Sequence, residues 1–322
     1  MICFRYPGGK TKIKNDIVGR IKRYYEENEC YDVCQYVEPF FGAGAIGLNF
    51  IASTPIKNVL ISDADPAISA FWDSVILSPD SLCQMVEKFK PSTEAFFKFK
   101  ELLTSEEMYR LKFLSSTKET LEAGFAKLAL HQISYSGLGT MAGGPLGGVK
   151  QDSKYKVDCR WNPNNIKKKI RKAHQILSSV VLYSGGCMEG DFSYAIDLQK
   201  EKREWEESGA KVTYEVEEPV FRFFYLDPPY YEKGGELYQY SFKKEDHEYL
   251  MRMLKKTKHP WLLSYDSCKE IKKLYDWASI IELDLTYTIN AKNKGREKKE
   301  FLIAPPEYSS LLEDLTENDI FK

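Results

Sequence analysis

Residues 220–231 read VFRFFYLDPPYY. The apolar run is nearly continuous rather than alternating. That pattern marks a strand buried on both faces, and such strands belong to parallel sheets covered by helices on either side. The run stops at Asp227, and Pro228 and Pro229 follow. Neither proline has an N–H to give to a ladder, so the strand ends there in a stiff turn. A chain with this segment is confined to a layered α/β fold carrying an acid at the carboxyl end of a central strand. Open α/β sheets bind their ligands at that edge.

The surrounding sequence agrees. YVEPFFGAGAIGLNF (36–50) reads as strand, glycine turn and helix, and NVLISDAD (58–65) as a second strand ending in acids. Together they form a strand–helix–strand unit, the opening of a doubly wound, mostly parallel sheet. SSVVLYSGGCMEGDF (178–192) and PWLLSYD (260–266) supply further strands. SIIELDLTYTIN (279–290) and KKEFLIAPP (298–306) form a terminal antiparallel pair around the basic turn AKNKGREKK (291–299). KEDHEYLMRMLKK (244–256) is a helix following the strand that ends at Asp227. Residues 71–180 break the rhythm with the helical stretches 91–114 and 121–135, the glycine-dense loop SGLGTMAGGPLGG (136–148) and the basic helix NPNNIKKKIRKAHQIL (162–177). The expected organisation is a sheet domain in two parts, 1–70 and 181–322, with a helical insertion at 71–180. The charged segment 197–219 reads as a surface excursion.

Composition excludes some classes. No segment of the 322 residues approaches the roughly 20 apolar residues of a membrane span. The N-terminus lacks the apolar core and cleavage site of a signal peptide. Seven scattered cysteines fit reduced thiols in a cytoplasm, and the Cys30/Cys34 spacing suits packed or surface thiols better than zinc. His131, His174, His247 and His259 have no metal-binding spacing. The net charge is −1, but residues 71–180 carry 17 Lys/Arg against 11 Asp/Glu, a net +6 that leaves −7 elsewhere. Such asymmetry suits a region facing a polyanion, and equally a solvated helical surface.

Two motifs carry chemistry. Gly42, Gly44 and Gly47 stand in a G-x-G-x-x-G pattern between strand and helix, with Asp63 about 20 residues on, where an acid can hydrogen-bond ribose hydroxyls. An adenosine-type cofactor follows, and both a nicotinamide dinucleotide and S-adenosyl-L-methionine fit; a glycine turn for packing alone is the plainer reading. Glu38, just before the turn, would repel a pyrophosphate and tolerate an ammonium or sulfonium, unless it is merely an exposed acid at a strand end. The second motif is DPPY. The exocyclic amine of a nucleobase is a poor nucleophile because its lone pair is delocalised. Asp227 and the Pro228 carbonyl, by accepting its two N–H bonds, would stabilise the positive charge that grows as a methyl group arrives. Pro229 stiffens the turn, and Tyr230 offers a ring for a base drawn out of a duplex. Lys167, Lys168, Lys169, Arg171 and Lys172 on the basic helix, with Lys150 and Arg160 around the glycine loop, suit phosphate contacts.

RYPGGK (5–10), EPFFGAG (38–44), GDF (190–192) and DPPYY (227–231), in this order along the chain, resemble the Dam-type (D12 class, alpha group) DNA adenine-N6 methyltransferases. SYSG, RWNP and SYD extend the resemblance over nearly the whole chain. It implies a Rossmann-like methyltransferase fold with a helical target-recognition domain, S-adenosyl-L-methionine as cofactor, duplex DNA as substrate with base flipping, and a restriction endonuclease as a conceivable partner. It further implies that Tyr6, Gly9, Lys10, Glu38, Phe41, Gly42, Gly44, Asp63, Asp191, Phe192 and Asp227 line the cofactor, and that Tyr135 and Ser136 face DNA. Two departures stand out. Tyr6 occupies a position where close relatives often carry Trp. Ser136 and Thr140 stand near Tyr135 where GATC-specific members carry Asn and Arg. Cytosine-N4 methylation, a nicotinamide oxidoreductase and a catalytically silent DNA-binding module are the alternatives.

Overall fold

The computed structural model describes residues 10, 13–106, 108, 117–185, 221–284 and 299–315. The sequence-derived candidates Tyr6, Gly9, Asp191 and Phe192 lie outside these residues, as do segment 197–219 and nearly all of the basic turn 291–299.

Seven strands form one sheet: β1 (Cys34–Glu38), β2 (Asn58–Ser62), β3 (Val181–Gly185), β4 (Phe221–Leu226), β5 (Trp261–Asp266), β6 (Ser279–Asp284) and β7 (Lys299–Ala304). Their order is β3-β2-β1-β4-β5-β7-β6. The first five are parallel neighbours, and β7 lies antiparallel between β5 and β6. The expected terminal pair is therefore present, but β7, the later strand, is the one that meets β5. This sheet is the frame of a Rossmann-like methyltransferase fold. Chain direction across it reverses between β1 and β4, which makes their carboxyl ends the topological switch point.

β4 shows why its sequence is continuously apolar. Phe223 and Tyr225 enter the core under α1 (Lys14–Glu27), α2 (Gly47–Ala52), α3 (Pro66–Leu77), α4 (Pro79–Lys88) and α7 (Pro163–Leu177). Phe224 and Leu226 enter the core on the opposite face, under α9 (Lys244–Lys256) and α10 (Lys269–Leu274), which follow the short α8 (Gly234–Leu237). Tyr36 and Val37 of β1, Leu262 and Leu263 of β5, and Leu302 and Ile303 of β7 divide in the same way.

A third, smaller core belongs to the inserted region. α5 (Thr93–Thr104) and α6 (Thr117–Ile133) contribute Phe96, Leu103, Ala126, Leu130 and Ile133, with Ala142 and Val157 from the following loop and Ala67 and Ala70 from α3. α6 crosses α3 at backbone contact: a Cβ on Gly124 would stand 2.6 Å from the Ala70 carbonyl oxygen and 2.7 Å from Phe71 Cα. α7, which the sequence reading grouped with the insertion, and α3, which its boundary at residue 71 divided, place apolar residues in the main core. Helix starts are capped locally. Asp65 accepts the Ala67 N–H at 2.9 Å ahead of α3, Ser92 the Ala95 N–H at 3.1 Å ahead of α5, and Asn162 the Asn165 N–H at 3.0 Å ahead of α7.

Candidate active site

Strand parity assembles the site. Glu38 continues the face of Tyr36, Asp227 that of Tyr225, Ser264 and Asp266 that of Leu262, and Glu300 that of Leu302. All are acids or acceptors at the carboxyl edge of one sheet face, and Lys10 meets them there from just ahead of α1. Its ammonium lies 2.6 Å from an Asp227 oxygen and 2.6 Å from Glu300 Oε1, with Lys10 and Glu300 each 2% exposed. The same ammonium donates to the Tyr230 hydroxyl at 3.4 Å and sits 5.0 Å from the centre of that ring. Ser264 donates to Asp227 Oδ1 at 3.1 Å, and Tyr238 approaches Tyr230 edge-on at 6.2 Å.

Burial governs the charge states. It pushes the Asp227 carboxyl up, while Lys10 and the Ser264 hydroxyl pull it back without restoring its ordinary value. It lifts Glu300 to about 7, against the pull of Lys10 and helped by the Asp227 charge. Burial alone would depress Lys10, but Asp227 and Glu300 outweigh it and hold the ammonium well above its ordinary value. The turn after Asp227 is anchored separately. Asp266 accepts the Tyr231 N–H at 2.9 Å and the Glu232 N–H at 3.3 Å. Behind it, buried His247 faces the Tyr265 hydroxyl at 2.6 Å, and burial lowers that imidazole to about 4.

The glycine turn forms the second half. Glu38 is buried rather than exposed, and its Oε2 accepts from the Tyr36 hydroxyl at 2.7 Å. Burial raises this carboxyl well above its ordinary range, opposed by that hydrogen bond. Gly47 is required here, since a Cβ would fall 2.4 Å from Glu38 Oε2 and 2.7 Å from the Phe41 ring. Asp63 closes the turn by accepting the Gly42 N–H at 2.8 Å and the Asp65 N–H at 2.9 Å, one on each oxygen. Burial, with Asp65 adding to it, lifts Asp63 to about 7. Phe41 donates its N–H to the Ser62 carbonyl at 3.0 Å, and Trp72 donates to the Gly42 carbonyl at 2.9 Å. Both oxygens of Asp63 and one of Glu38 thus shape the turn. A buried carboxyl with a raised pKa ionises more readily when a cation arrives, so these residues fit an adenosine-type cofactor bearing a positive charge.

The loop after α6 presents Tyr135 and Ser136. Its base is tied down: the Ser134 hydroxyl accepts the Gly139 N–H at 3.0 Å, His131 Nδ1 lies 2.8 Å from the Gly137 carbonyl, and Tyr135 donates its N–H to Gly144 at 3.0 Å. Its tip is exposed, with Tyr135 63% accessible and Ser136 in the left-handed region at φ 56°. Thr140, which the sequence placed beside Ser136, is buried and cannot reach a base edge. Lys150 is exposed and Arg160 half-buried. On α7, Lys168, Arg171 and Lys172 are exposed, and Lys167 and Lys169 are half-buried. Two of these cations face acids on α4: Lys167 pairs with Glu87, and Arg171 lies 3.9 Å from Asp80.

The structure thus brings Lys10, Asp227 and Tyr230 into one cluster and Glu38, Phe41, Gly42, Gly44 and Asp63 into the adjoining turn. Sequence reasoning missed Glu300, Ser264 and Asp266. Parity with buried Leu302 and Ala304 could give the face of Glu300 but not its place beside Lys10, which the register of β7 on β5 sets. No group of His, Cys, Asp and Glu among the described residues could hold a metal ion. Comparison with curated proteins yields no match. The family model described as D12 class N6 adenine-specific DNA methyltransferase matches residues 6–176 and 195–289. That span takes in Lys10, the glycine turn, the exposed loop and the Asp227 turn, and the chain belongs to the D12 class of N6 adenine-specific DNA methyltransferases.

Proposed function

We propose that this protein transfers the methyl group of S-adenosyl-L-methionine to N6 of an adenine rotated out of duplex DNA. The observation that carries this reading is the placement of Asp227 at the switch point, beside Lys10, which also reaches the Tyr230 hydroxyl, on the sheet face that carries Glu38. The cofactor supplies a methyl group on a sulfonium, an electrophile that needs no metal. Glu38 receives the positive end of that molecule, the Gly42–Gly44 turn admits it close to the backbone, and the remaining lone pairs of Asp63 accept from its ribose. Asp227 accepts an N–H of the adenine amine and stabilises the charge that develops on nitrogen. Tyr230, steadied by Lys10 and flanked by Tyr238, is the platform on which the extruded base stacks. Tyr135 and Ser136 enter the duplex from the insertion. Lys150, Arg160 and the cations of α7 contact phosphate, which positions the protein without reading sequence.

The test has two parts. Calorimetric titration of the purified protein with S-adenosyl-L-methionine and with NAD should give binding to the first only. Base-resolution mapping of DNA from an expressing, otherwise unmethylated host should then find N6-methyladenine at one recurring sequence. N4-methylcytosine in its place, or no modified base, would overturn the reading.

A further inference from the structure

The cluster at the carboxyl edge holds two carboxylates, Asp227 and Glu300, around a single ammonium, and Lys10 Nζ lies at 2.6 Å from an oxygen of each. When all three are ionised, the cluster has one negative charge more than Lys10 can balance, and therefore capacity for one proton. Only Asp227 belongs to the DPPY turn. Glu300 comes from β7, on the far side of β5, where it is paired in register with Asp266. A buried acid at such a position is costly unless paired, and a Lys10–Asp227 pair would have balanced without it.

The reaction proposed above produces a proton that has to leave. The amine lone pair forms the new N–C bond, and the S–C bond breaks with its electrons staying on sulfur. The nitrogen, now carrying an extra substituent, must lose one N–H proton. Asp227 is the acceptor beside it, yet a protonated Asp227 would leave the site unable to act as acceptor again.

We infer that Glu300 is the proton-holding group of the active site, acting through Lys10. Asp227 takes the proton from the methylated amine, Lys10 passes one of its own N–H protons to Glu300 Oε1, and Lys10 recovers a proton from Asp227. Three protons move, two of them across the 2.6 Å contacts of Lys10 with Asp227 and Glu300, the charge of Lys10 is unchanged, and Asp227 is returned to its ionised form. Before the reaction, Glu300 also draws Lys10 away from full pairing with Asp227, which leaves Asp227 the stronger acceptor. Glu300 is suited to this task, because burial places its protonation near neutrality, at about 7. The groups that face it are Lys10 ahead of α1, Asp227 and Tyr230 after β4, Tyr238 after α8, and Asp266 at the end of β5. Glu300 touches neither substrate nor cofactor in this scheme. It is a positioning residue whose distinguishing signature is a pH profile.

This inference rests on the methyltransferase reading, and the experiment separates the two. Multiple-turnover methyl transfer is measured with unmethylated duplex DNA in excess over the intact protein, so that Asp227 has to be reset between transfers. S-Adenosyl-L-methionine is kept saturating, so that titration of cofactor contacts drops out. Because Glu300 has to be ionised to receive the proton, the wild-type rate should rise through a midpoint near pH 7 and level off above it. Glu300→Gln cannot hold the proton and should lower the plateau rate by about tenfold or more. It should also abolish the rise between about pH 6 and 8, while leaving cofactor affinity within about threefold as a check that the site is intact. Glu300→Asp keeps a titratable carboxylate and should restore the limb with a displaced midpoint, which decides the matter even if the Gln variant folds poorly. A wild-type rate that is flat from about pH 6 to 8, or a Gln variant with the wild-type limb, would overturn the role of Glu300 while leaving methyl transfer in place. Absence of transfer from the wild type would overturn the methyltransferase reading itself, and this inference with it.

Discussion

The carboxyl edge of the sheet and the outer surface of α7 both concentrate charge, and they use it in opposite ways. At the edge, Lys10, Asp227, Glu300, Lys127 and Asp65 are largely buried and matched to one another at 2.5–2.6 Å. On α7, the cations are exposed or half-buried, and those with acidic partners face α4 across the surface. A buried charge that loses its partner is stranded in low dielectric, whereas an exposed one is rescued by water. Substitutions at the edge should therefore act on catalysis or folding by orders of magnitude, and substitutions on α7 should act by increments that depend on salt.

The largest effect belongs to Asp227. In the proposed mechanism Asp227→Ala removes the acceptor at the amine, and it leaves Glu300 as the one carboxylate at 2.6 Å from Lys10. Single-turnover methyl transfer should fall by at least about 100–1000-fold, the scale of removing one preorganised electrostatic group from a transition state. Near-wild-type turnover on methylatable duplex would remove Asp227 from the mechanism.

Next comes the Lys127–Asp65 pair, which joins α6 of the insertion to the start of α3. Its N–O distance is 2.5 Å, and the side chains are 4% and 8% exposed. Lys127→Met strands Asp65 and should cost about 3–5 kcal/mol of stability in denaturant unfolding. Converting Asp65 to Asn in the same chain should return much of that loss, because the stranded charge is then gone. A single variant as stable as wild type would show that the pair is not desolvated as its burial indicates.

These two sites also differ in how readable they were. The acid of DPPYY announced itself, because an apolar run long enough for a strand buried on both faces has to end at the ligand-binding edge. The glycine turn was readable from its spacing between a strand and a helix, but that Gly47 leaves the space filled by Glu38 and Phe41 was not. Glu300 was not, because in KKEFLIAPP it looks like part of a charged strand entrance. Only the antiparallel register of β7 against β5, which places Glu300 opposite Asp266, carries it to Lys10. Local sequence has no information about which of two terminal strands meets the parallel sheet. Asp266 illustrates another gap. SYD resembles a family motif, but its work of holding the Tyr231 and Glu232 N–H groups depends on a turn 35 residues earlier in the chain. On α7, the lysine run was obvious and the acids facing it were not, because Glu87 and Asp80 come from a different helix.

A smaller effect should follow from Asp63→Asn. The carboxylate of Asp63 holds the Gly42 and Asp65 N–H groups and, in the proposed complex, ribose hydroxyls. The amide keeps one good acceptor, so cofactor affinity should drop by about tenfold, the scale of one hydrogen bond to a charged group. The pH dependence gives the sharper test. The ionised carboxylate is the better acceptor and its pKa is about 7, so wild-type affinity should strengthen as pH rises through neutrality and weaken below it. The Asn variant has no such group, and the difference between the two proteins should vanish at acid pH. Equal affinities in calorimetric titrations a unit above neutrality would place the ribose elsewhere.

The smallest effects are expected on α7, and they differ from one lysine to the next. Every phosphate that the protein ceases to neutralise on B-form DNA should flatten the salt dependence of binding by about 0.9 in log–log slope. Lys168 and Lys172 are exposed, so neutralising either should change the slope by up to that amount if the helix meets DNA. Lys167 is already paired with Glu87. It can reach phosphate only by leaving that partner, and an exposed pair of this kind is worth about 0–1 kcal/mol, so Lys167→Gln should change the slope less than Lys168→Gln does. Glu87→Gln releases Lys167 and should steepen the slope, the opposite sign from any lysine change. Tyr135→Ala and Ser136→Ala at the exposed loop should keep the slope and lose discrimination between cognate and scrambled duplexes, because interactions made inside the stack or at base edges release no counterions. Titrations on both duplexes at several salt concentrations measure all of these together. If the Lys168, Lys172 and Glu87 variants share the wild-type slope, α7 does not touch phosphate, and its exposed cations form a solvated surface over the main core.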